Sequence, residues 1–245
     1  MLSDEGGEYP FVKKAQPNFI QWCIIYLTAP LTWPGALKHY MSRKADKNCI
    51  KSHGKYMSGK LNSRLGPEVS LKKTKEVAKK MNMTVNDLML GITSRALKQY
   101  FMKQGDDSKE VSITLPFTFK VIAQKREDYT YGNNFVSLTI YLKLIENLEE
   151  ACQHAKKLMN NLKKSTHPGA FYTLLEFYGC FMPQWWNKHI SETSGAKHSI
   201  MFSNVPGYVK PAYYLGGLVR RFFYSGVGSG NISSGIVIVS MLKRF

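Results

Sequence analysis

The sequence predicts a mixed α/β fold whose sheet is formed mostly by the C-terminal part of the chain. Three observations predict it. Apolar residues recur at helical spacing in residues 85–101 and 148–162. Apolar residues alternate with polar ones in residues 111–119, as in a half-buried strand. After residue 198, short apolar runs alternate with turns rich in Pro and Gly, which is typical of further strands.

Length, composition and charge limit the possible functions. The chain has 245 residues, of which 44% are hydrophobic and 21% charged, so it can bury a core and wholesale disorder is disfavoured. Lys and Arg number 34 against 17 Asp and Glu, a formal net charge of +17. This charge favours an anionic partner, namely nucleic acid, a phospholipid surface or a phosphate-bearing cofactor, without choosing among them.

The cysteines give no sign of a disulfide framework or a zinc module. They lie far apart, with no CxxC pair and no His at metal-ligand spacing. We expect reduced, buried thiols in a cytosol-facing protein. Residues 1–5 are polar and acidic, unlike the start of a signal peptide. The four cysteines are Cys23, Cys49, Cys152 and Cys180.

An uncharged segment at residues 19–37 precedes a basic run. Because Gln21, Pro30, Pro34 and Gly35 interrupt the segment, it is interpreted as lying in a membrane interface or docked on the protein rather than crossing a bilayer. The basic run suits an anionic bilayer, at roughly 1 kcal/mol per basic residue near the surface, and equally a solvated flexible linker. Its members are Lys38, Arg43, Lys44, Lys47, Lys51, Lys55 and Lys60, with Asp46 as the only acid.

The predicted elements follow in order. A short helix covers residues 71–80, and a second begins at Thr84, where Asp87 three residues later forms a capping box, and runs to about Phe101. The alternating residues 111–119 form a strand in which Pro116 indicates an edge or a break. A second strand covers residues 135–142.

The second half of the chain begins with a strongly predicted helix at 148–162, with acidic residues near its start and Lys163 and Lys164 near its end, as the helix dipole prefers. A fourth helix covers residues 170–182 and is closed by Pro183. The remainder is predicted as strands. They cover residues 198–203, 212–215, 218–224 and 232–240.

The sequence contains none of the catalytic motifs HExxH, GxSxG or the Walker A loop. Residues 226–230 (GVGSG) lead into a strand, so a hairpin turn is favoured over a phosphate loop. The six histidines are isolated in sequence, and His198 is interpreted as a hydrogen-bonded structural residue. Helix capping is likewise the favoured role of Asp87. A nucleic-acid module has no support beyond charge.

Three segments together resemble one family. They are TVNDLML at 84–90, LPFTFK at 115–120 followed by Gly132-Asn133-Asn134, and SNVPG at 203–207 with YLGG at 214–217. Their order and spacing resemble the C-terminal half of the wax ester synthase/diacylglycerol acyltransferase family. The uncharged segment followed by Ala45-Asp46-Lys47 is similar to membrane-associated eukaryotic members.

The resemblance implies the C-terminal lobe of a chloramphenicol acetyltransferase-like, condensation-domain-like α/β fold, with a mixed sheet packed with helices. It implies acyl transfer from acyl-CoA, a co-substrate, to diacylglycerol or a fatty alcohol, giving triacylglycerol or wax esters, with no bound cofactor or metal. Family members use a His of an HHxxxDG motif as general base. The 245 residues contain no adjacent His pair, so no catalytic residue carries over.

We therefore expect a partial chain that is inactive alone. Residues 1–60 are expected to be a membrane-associating or linker segment continuing from a missing N-terminal lobe, and 61–245 the C-terminal domain. The location is expected to be membrane-associated and cytosol-facing, at the endoplasmic reticulum or plasma membrane. The alternative is a non-catalytic protein that binds acyl-CoA or membrane lipid.

The resemblance also implies a substrate tunnel. Asn86 and Asp87 match the Asn-Asp pair of the family, and whether they bind substrate or only cap their helix stays open. The turn of Pro206 and Gly207 lets backbone groups approach a ligand closely. The implied tunnel residues are Ser203, Asn204, Val205, Pro206, Gly207, Asn86 and Asp87.

Overall fold

The computed structural model describes residues 18–42, 44–51, 60–119, 135–207, 213–219 and 232–240. These residues form helices and strands in a mixed α/β arrangement, as the sequence predicts. The elements are α1 Phe19–Met41, α2 Leu71–Lys80, α3 Val85–Lys103, β1 Glu110–Thr118, β2 Phe135–Lys143, α4 Leu148–Lys164, α5 His167–Phe181, α6 Gln184–Gly195, β3 Ile200–Pro206, β4 Tyr213–Tyr214, β5 Gly217–Leu218 and β6 Ser234–Ser240.

The main sheet is mixed, with strand order β2-β1-β3-β6. β2 is antiparallel to β1, whereas β3 lies parallel to β1 and β6 parallel to β3. β1 is therefore a central strand, whereas Pro116 suggested an edge strand or a break. The pairing with β3 covers only Ile113 and Thr114, so at Pro116 the strand is paired with β2 alone. The missing N–H of Pro116 consequently costs no bond to β3.

Helices α3 and α4 cover one face of the main sheet and bury the principal core. α3 and α4 approach each other closely at Gly91, where an added Cβ would lie 2.6 Å from the Cα of Cys152. The strands contribute alternate residues to this core because successive side chains of a strand point to opposite faces. Its buried members include Leu90, Leu97, Phe101, Val111, Ile113, Ile140, Leu142, Ala155, Met159, Ile200 and Phe202.

The uncharged segment forms one helix, α1, which docks on α5. The indole N–H of Trp33 donates a hydrogen bond to Thr173 Oγ1 at 3.0 Å, and the hydroxyl of Tyr26 donates to Glu176 Oε2 at 2.6 Å. Pro30 and Pro34 lie inside the helix on its exposed side and do not end it. The sequence left two interpretations of this segment, a helix in a membrane interface or a helix docked on the protein. The structure shows α1 docked on the protein.

None of the described helices combines the length and the apolarity that crossing a bilayer requires.

The region from the fourth predicted helix to β3 differs from the sequence prediction. α5 begins at His167, so that Pro168 and Gly169 lie in its first turn, where the missing N–H of Pro is tolerated. Helix α6 stands where no helix was predicted, because its sequence, QWWNKHISETSG, has no regular apolar face.

The cysteine prediction holds only in part. The four cysteines are free, as expected, and Cys152 is buried. Cys49 and Cys180 are exposed, so the expectation of buried thiols is wrong for them.

Candidate functional site

The implied tunnel residues of the SNVPG segment form the end of β3. Ser203 to Pro206 pair with β6, and the N–H of Gly207 donates to the carbonyl of Ser240 at 2.7 Å. The pleat places Asn204 on the same face as Phe202, which lies in the core under α3. Ser203 and Val205 consequently lie on the opposite face.

Asn204 meets Asn86 across this face. The side-chain Nδ2 of Asn204 lies 3.5 Å from the Oδ1 of Asn86, which stands in the first turn of α3. The two residues are 118 positions apart in sequence and both are half-buried. The fold thus brings together two of the three segments that carry the family resemblance.

Asp87, next to Asn86, caps α3. Its Oδ2 accepts a hydrogen bond from the backbone N–H of Thr84 at 3.0 Å, and the N–H of Asp87 donates to Thr84 Oγ1 at 3.2 Å. This reciprocal pair is the predicted capping box.

Capping occupies only one carboxylate oxygen of Asp87. The side chain is buried, and within the described residues its Oδ1 has no hydrogen-bond partner. A buried carboxylate oxygen without a donor is costly, so this atom is a potential acceptor for the hydroxyl or N–H of a ligand. Asn86, Asp87 and Asn204 together form the candidate site.

The predicted residues at 120 and 132–134, the loop at 226–230 and residues 1–5 lie outside the described part of the chain.

A second polar cluster surrounds Asp46. Its Oδ2 accepts hydrogen bonds from the N–H and the hydroxyl of Ser112, both at 2.8 Å, and from the hydroxyl of Ser199 at 2.7 Å. The side-chain amide of Asn48 also donates to Ser199 Oγ, at 2.9 Å. These bonds fasten residues 44–51 to β1 and to the residue preceding β3, so this part of the basic run is not a flexible linker.

Lys51 is buried beside this cluster rather than exposed. Its Nζ donates to the carbonyl oxygen of His198 at 2.7 Å and to that of Gly195 at 3.4 Å. Burial lowers the pKa of Lys51, while the charge of Asp46 opposes the shift. The prediction that Lys51 faces a bilayer or solvent is therefore wrong.

His198 is buried within the same cluster. Its Nε2 lies 3.1 Å from Thr139 Oγ1 and its Nδ1 lies 3.4 Å from Ser112 Oγ. Burial lowers the pKa of His198 to about 4, helped by Lys51 and opposed by the charge of Asp46. The structural role predicted for His198 agrees with this environment.

Asp46, Ser112 and His198 are not arranged as a catalytic triad that would activate a serine. Ser112 lies between the carboxylate of Asp46 and the ring of His198, whereas a nucleophilic serine requires the histidine between the two. Nothing in the sequence pattern identified this cluster. The only signal was Asp46 as the single acid within a basic run.

The histidines are less isolated in space than in sequence. The rings of His39, near the end of α1, and His167, at the start of α5, lie 5.1 Å apart, and the ring of Tyr141 lies 6.1 Å from His39.

Residues 131–244 match the family described as the WS/DGAT C-terminal domain. This match confirms the predicted resemblance. The SNVPG half of the candidate site lies inside the matched residues, whereas Asn86 and Asp87 precede them.

The chain is also similar to two solved structures. One is a wax ester synthase/diacylglycerol acyltransferase from Marinobacter aquaeolei VT8, with 16% identity, a TM-score of 0.46 and coverage of 88% of this chain and 48% of that chain. The other is the epimerization domain from the third module of tyrocidine synthetase B, with 14% identity, a TM-score of 0.51 and coverage of 93% and 52%.

The second likeness supports the condensation-domain-like fold, so the predicted fold class is confirmed. The chain spans about half the length of these two structures. A search of curated proteins found no match.

Proposed function

We propose that this chain is the C-terminal half of an acyl-CoA-dependent O-acyltransferase that makes neutral lipids, either triacylglycerol or wax esters. The observation that carries the proposal is the WS/DGAT C-terminal domain at residues 131–244. The contact between Asn204 of this domain and Asn86 supports it, because two segments of the resemblance meet there.

The proposed reaction is transfer of an acyl group from a thioester to an alcohol. The hydroxyl oxygen of diacylglycerol or a fatty alcohol attacks the thioester carbonyl, the carbon–sulfur bond breaks, and CoA leaves. The hydroxyl proton goes to a general base, which returns it to the departing sulfur.

We do not assign the general base to any residue of this chain. The sequence has no adjacent His pair. His198 is buried, hydrogen-bonded on both ring nitrogens, and has a lowered pKa, which makes it a poor proton acceptor for a substrate near pH 7. We assign the base to an N-terminal lobe carrying HHxxxDG.

The contribution of this chain is the wall of the substrate tunnel. The half-buried side chains of Asn86 and Asn204 offer polar groups at the end of the SNVPG strand, and the buried Oδ1 of Asp87 lies next to Asn86 in the chain. Such a small set of polar groups orients the reacting end of a largely apolar ligand.

The proposed partners are acyl-CoA, diacylglycerol or a fatty alcohol, and an anionic membrane surface, with no nucleic acid. The proposed location is the cytosolic side of the endoplasmic reticulum or plasma membrane. No bound cofactor or metal is required, because acyl-CoA supplies the activated acyl group.

The test combines this chain with an N-terminal lobe that carries HHxxxDG, and measures ester formation from labelled long-chain acyl-CoA. Asn204→Ala and Asn86→Ala should lower turnover by about tenfold or more, because each removes a positioning group. Asn160→Ala, on the exposed side of α4, is the matched control and should have no effect. Unchanged turnover in both site variants would contradict the assigned tunnel.

A second candidate function is a non-catalytic protein that binds acyl-CoA or membrane lipid. The lack of an adjacent His pair favours it. Saturable acyl-CoA binding without turnover, even in the presence of the N-terminal lobe, would decide for this alternative.

A further inference from the structure

Asp46 connects two strands of the main sheet that pair over a short distance. β1 and β3 pair with each other at two positions, at the start of β3. Directly before these positions, the Oδ2 of Asp46 accepts hydrogen bonds from the N–H and the hydroxyl of Ser112 in β1, both at 2.8 Å, and from the hydroxyl of Ser199 at 2.7 Å. Ser199 immediately precedes β3. This group, which we call the Asp46 clasp, therefore adds a side-chain connection between the two strands.

The backbone around Asp46 is fixed as well, so its carboxylate is held against the strands. The N–H of Asp46 donates to the carbonyl oxygen of Lys197 at 3.2 Å. The side chain of Asn48 is buried, where its Nδ2 donates to Ser199 Oγ at 2.9 Å and its Oδ1 accepts the N–H of Lys51 at 3.0 Å. Since hydrogen bonds to a carboxylate are among the stronger ones in proteins, the clasp is a firm attachment of the start of β3.

β3 leads from the Asp46 clasp to the candidate site. Asn204 follows Ser199 by five residues, about 17 Å at the rise of a strand. After Met201, β3 is paired with β6 alone within the described sheet, so its position along β1 is set near its start. Because a strand is already extended and cannot lengthen, a shift of its start away from the site pulls Asn204 with it.

The contact of Asn204 with Asn86 is sensitive to such a shift. Its N···O distance of 3.5 Å is at the outer limit of a hydrogen bond, so a few tenths of an ångström more would end it. Phe202 also anchors β3 in the core, but apolar packing is non-directional and does not closely fix the position of a strand along its axis. The hydrogen bonds of the Asp46 clasp are directional and do fix it.

We propose that Asp46 is a positioning residue for the candidate site, because by tying β1 to the start of β3 it places Asn204 opposite Asn86. The consequence for acyl transfer rests on the proposed function, whereas the placement of Asn204 does not. The competing explanation is that Asp46 only stabilises the fold. The two explanations differ in what happens to Asn204 in a variant of Asp46 that remains folded.

The placement is tested by NMR of the full chain, in which the side-chain amide of each Asn gives its own pair of signals. Asn204→Ala identifies the pair of Asn204 by its loss, and Asn86→Ala shows where that pair moves when the contact is lost. Asp46→Ala should move the pair in the same direction. Asp46→Asn should leave it near its original place, because the amide oxygen can still accept the bonds from Ser112 and Ser199.

Asp106→Ala is the matched control, since it removes another carboxylate that binds the same segment. Asp106 accepts hydrogen bonds from the N–H of Cys49 at 2.6 Å and of Ser108 at 2.9 Å, and neither residue lies in β3. This variant should leave the signals of Asn204 in place. Ser199→Ala removes one bond of the Asp46 clasp, at the side of β3, and should move the signals as Asp46→Ala does. It keeps the test decisive if circular dichroism shows that Asp46→Ala is unfolded.

The consequence for acyl transfer is tested with the N-terminal lobe that carries HHxxxDG. Asp46→Ala should lower turnover by about tenfold, as Asn204→Ala should. The double variant should lose no more than Asn204→Ala alone, because Asp46 acts through Asn204 and the effects of coupled residues do not add. A purely structural role of Asp46 would give losses that add.

Four outcomes would overturn the proposal. They are signals of Asn204 that stay in place in both Asp46→Ala and Ser199→Ala, an equal displacement in Asp106→Ala, an equal displacement in Asp46→Asn, and additive losses of turnover. If even the unaltered chain forms no ester with the N-terminal lobe, the proposed function fails, and the NMR spectra still decide whether Asp46 places Asn204.

Discussion

His198 is kept neutral by its surroundings. The ring is buried, contacts Thr139 and Ser112, and lies near the cations Lys51 and Lys197, so burial and these charges hold its pKa near 4 while Asp46 opposes them. An unfolded chain has no such environment, and there the pKa of the ring returns to its ordinary 6.5.

This difference makes folding pH-dependent. Between about pH 6.5 and 4 the unfolded chain binds a proton that the folded chain does not, so the free energy of unfolding falls as the pH falls, by on the order of 3 kcal/mol. His198→Gln should remove this part of the slope. Urea unfolding at a series of pH values measures it, and equal slopes in both proteins would contradict the prediction.

Gly91 permits the close contact of α3 with α4. A Cβ at this position would lie 2.6 Å from both the Cα and the Sγ of Cys152, and backbone atoms cannot give way cheaply. Gly91→Ala should therefore lower the free energy of unfolding by about 1–3 kcal/mol, in spite of the better helix propensity of Ala.

Gly179→Ala in α5 is the matched control. No atom lies within 4 Å of the added Cβ, so this change should be neutral or stabilising by roughly 0.5–1 kcal/mol. Thermal unfolding of both variants makes the comparison, and a tolerated Gly91→Ala would show that the helices separate easily.

At the scale of elements, the hairpin of β4 and β5 has an unusual turn. Leu215 and Gly216 both have positive φ, 49° and 75°, as a two-residue hairpin turn of type I′ requires. Gly216 adopts this conformation freely, but Leu215 does so at a cost, since its Cβ crowds the backbone.

Leu215→Asn should relieve this cost. Because Asn tolerates the left-handed region and Leu215 is exposed, the change should raise the free energy of unfolding by up to about 1 kcal/mol. Leu218→Asn, in strand β5, is the control and should not stabilise the chain. Urea unfolding midpoints measure both, and a destabilised Leu215→Asn would contradict the argument.

Helix prediction succeeded where the signal is local. α2, α3 and α4 follow from cap residues and apolar spacing, and α2 has the predicted bounds. α6 was not predicted because its two tryptophans, Trp185 and Trp186, are adjacent and exposed. The apolar residues of this segment therefore do not recur at helical spacing.

At the scale of the whole molecule, the candidate site and the buried histidine lie in different clusters. Asn86 contacts Asn204, whereas His198 belongs to the cluster around Asp46. The fold also separates the lysines of the basic run. Lys51 donates hydrogen bonds to internal carbonyl oxygens, whereas Lys38, Lys44 and Lys47 are exposed.

The chain alone should show no ester formation from long-chain acyl-CoA with either diacylglycerol or a fatty alcohol. The physical reason is that the sequence has no adjacent His pair to take the hydroxyl proton as the general base of the family does, a contribution worth typically a hundredfold or more in rate. Thin-layer chromatography of labelled products checks this. Robust turnover by the chain alone would show that it contains its own base.

The sequence by itself determined the mixed α/β class, most helices, the capping of α3 by Thr84 and Asp87, and the family resemblance. These depend on neighbouring residues, whose spacing is visible in the chain. Only the tertiary structure decided the contact of Asn86 with Asn204, the burial of Lys51, the network of Asp46 and the docking of α1 on α5. These features depend on which segments, distant in sequence, come into contact. Apolar periodicity indicates that one face of an element is buried, but it does not indicate which residues cover that face.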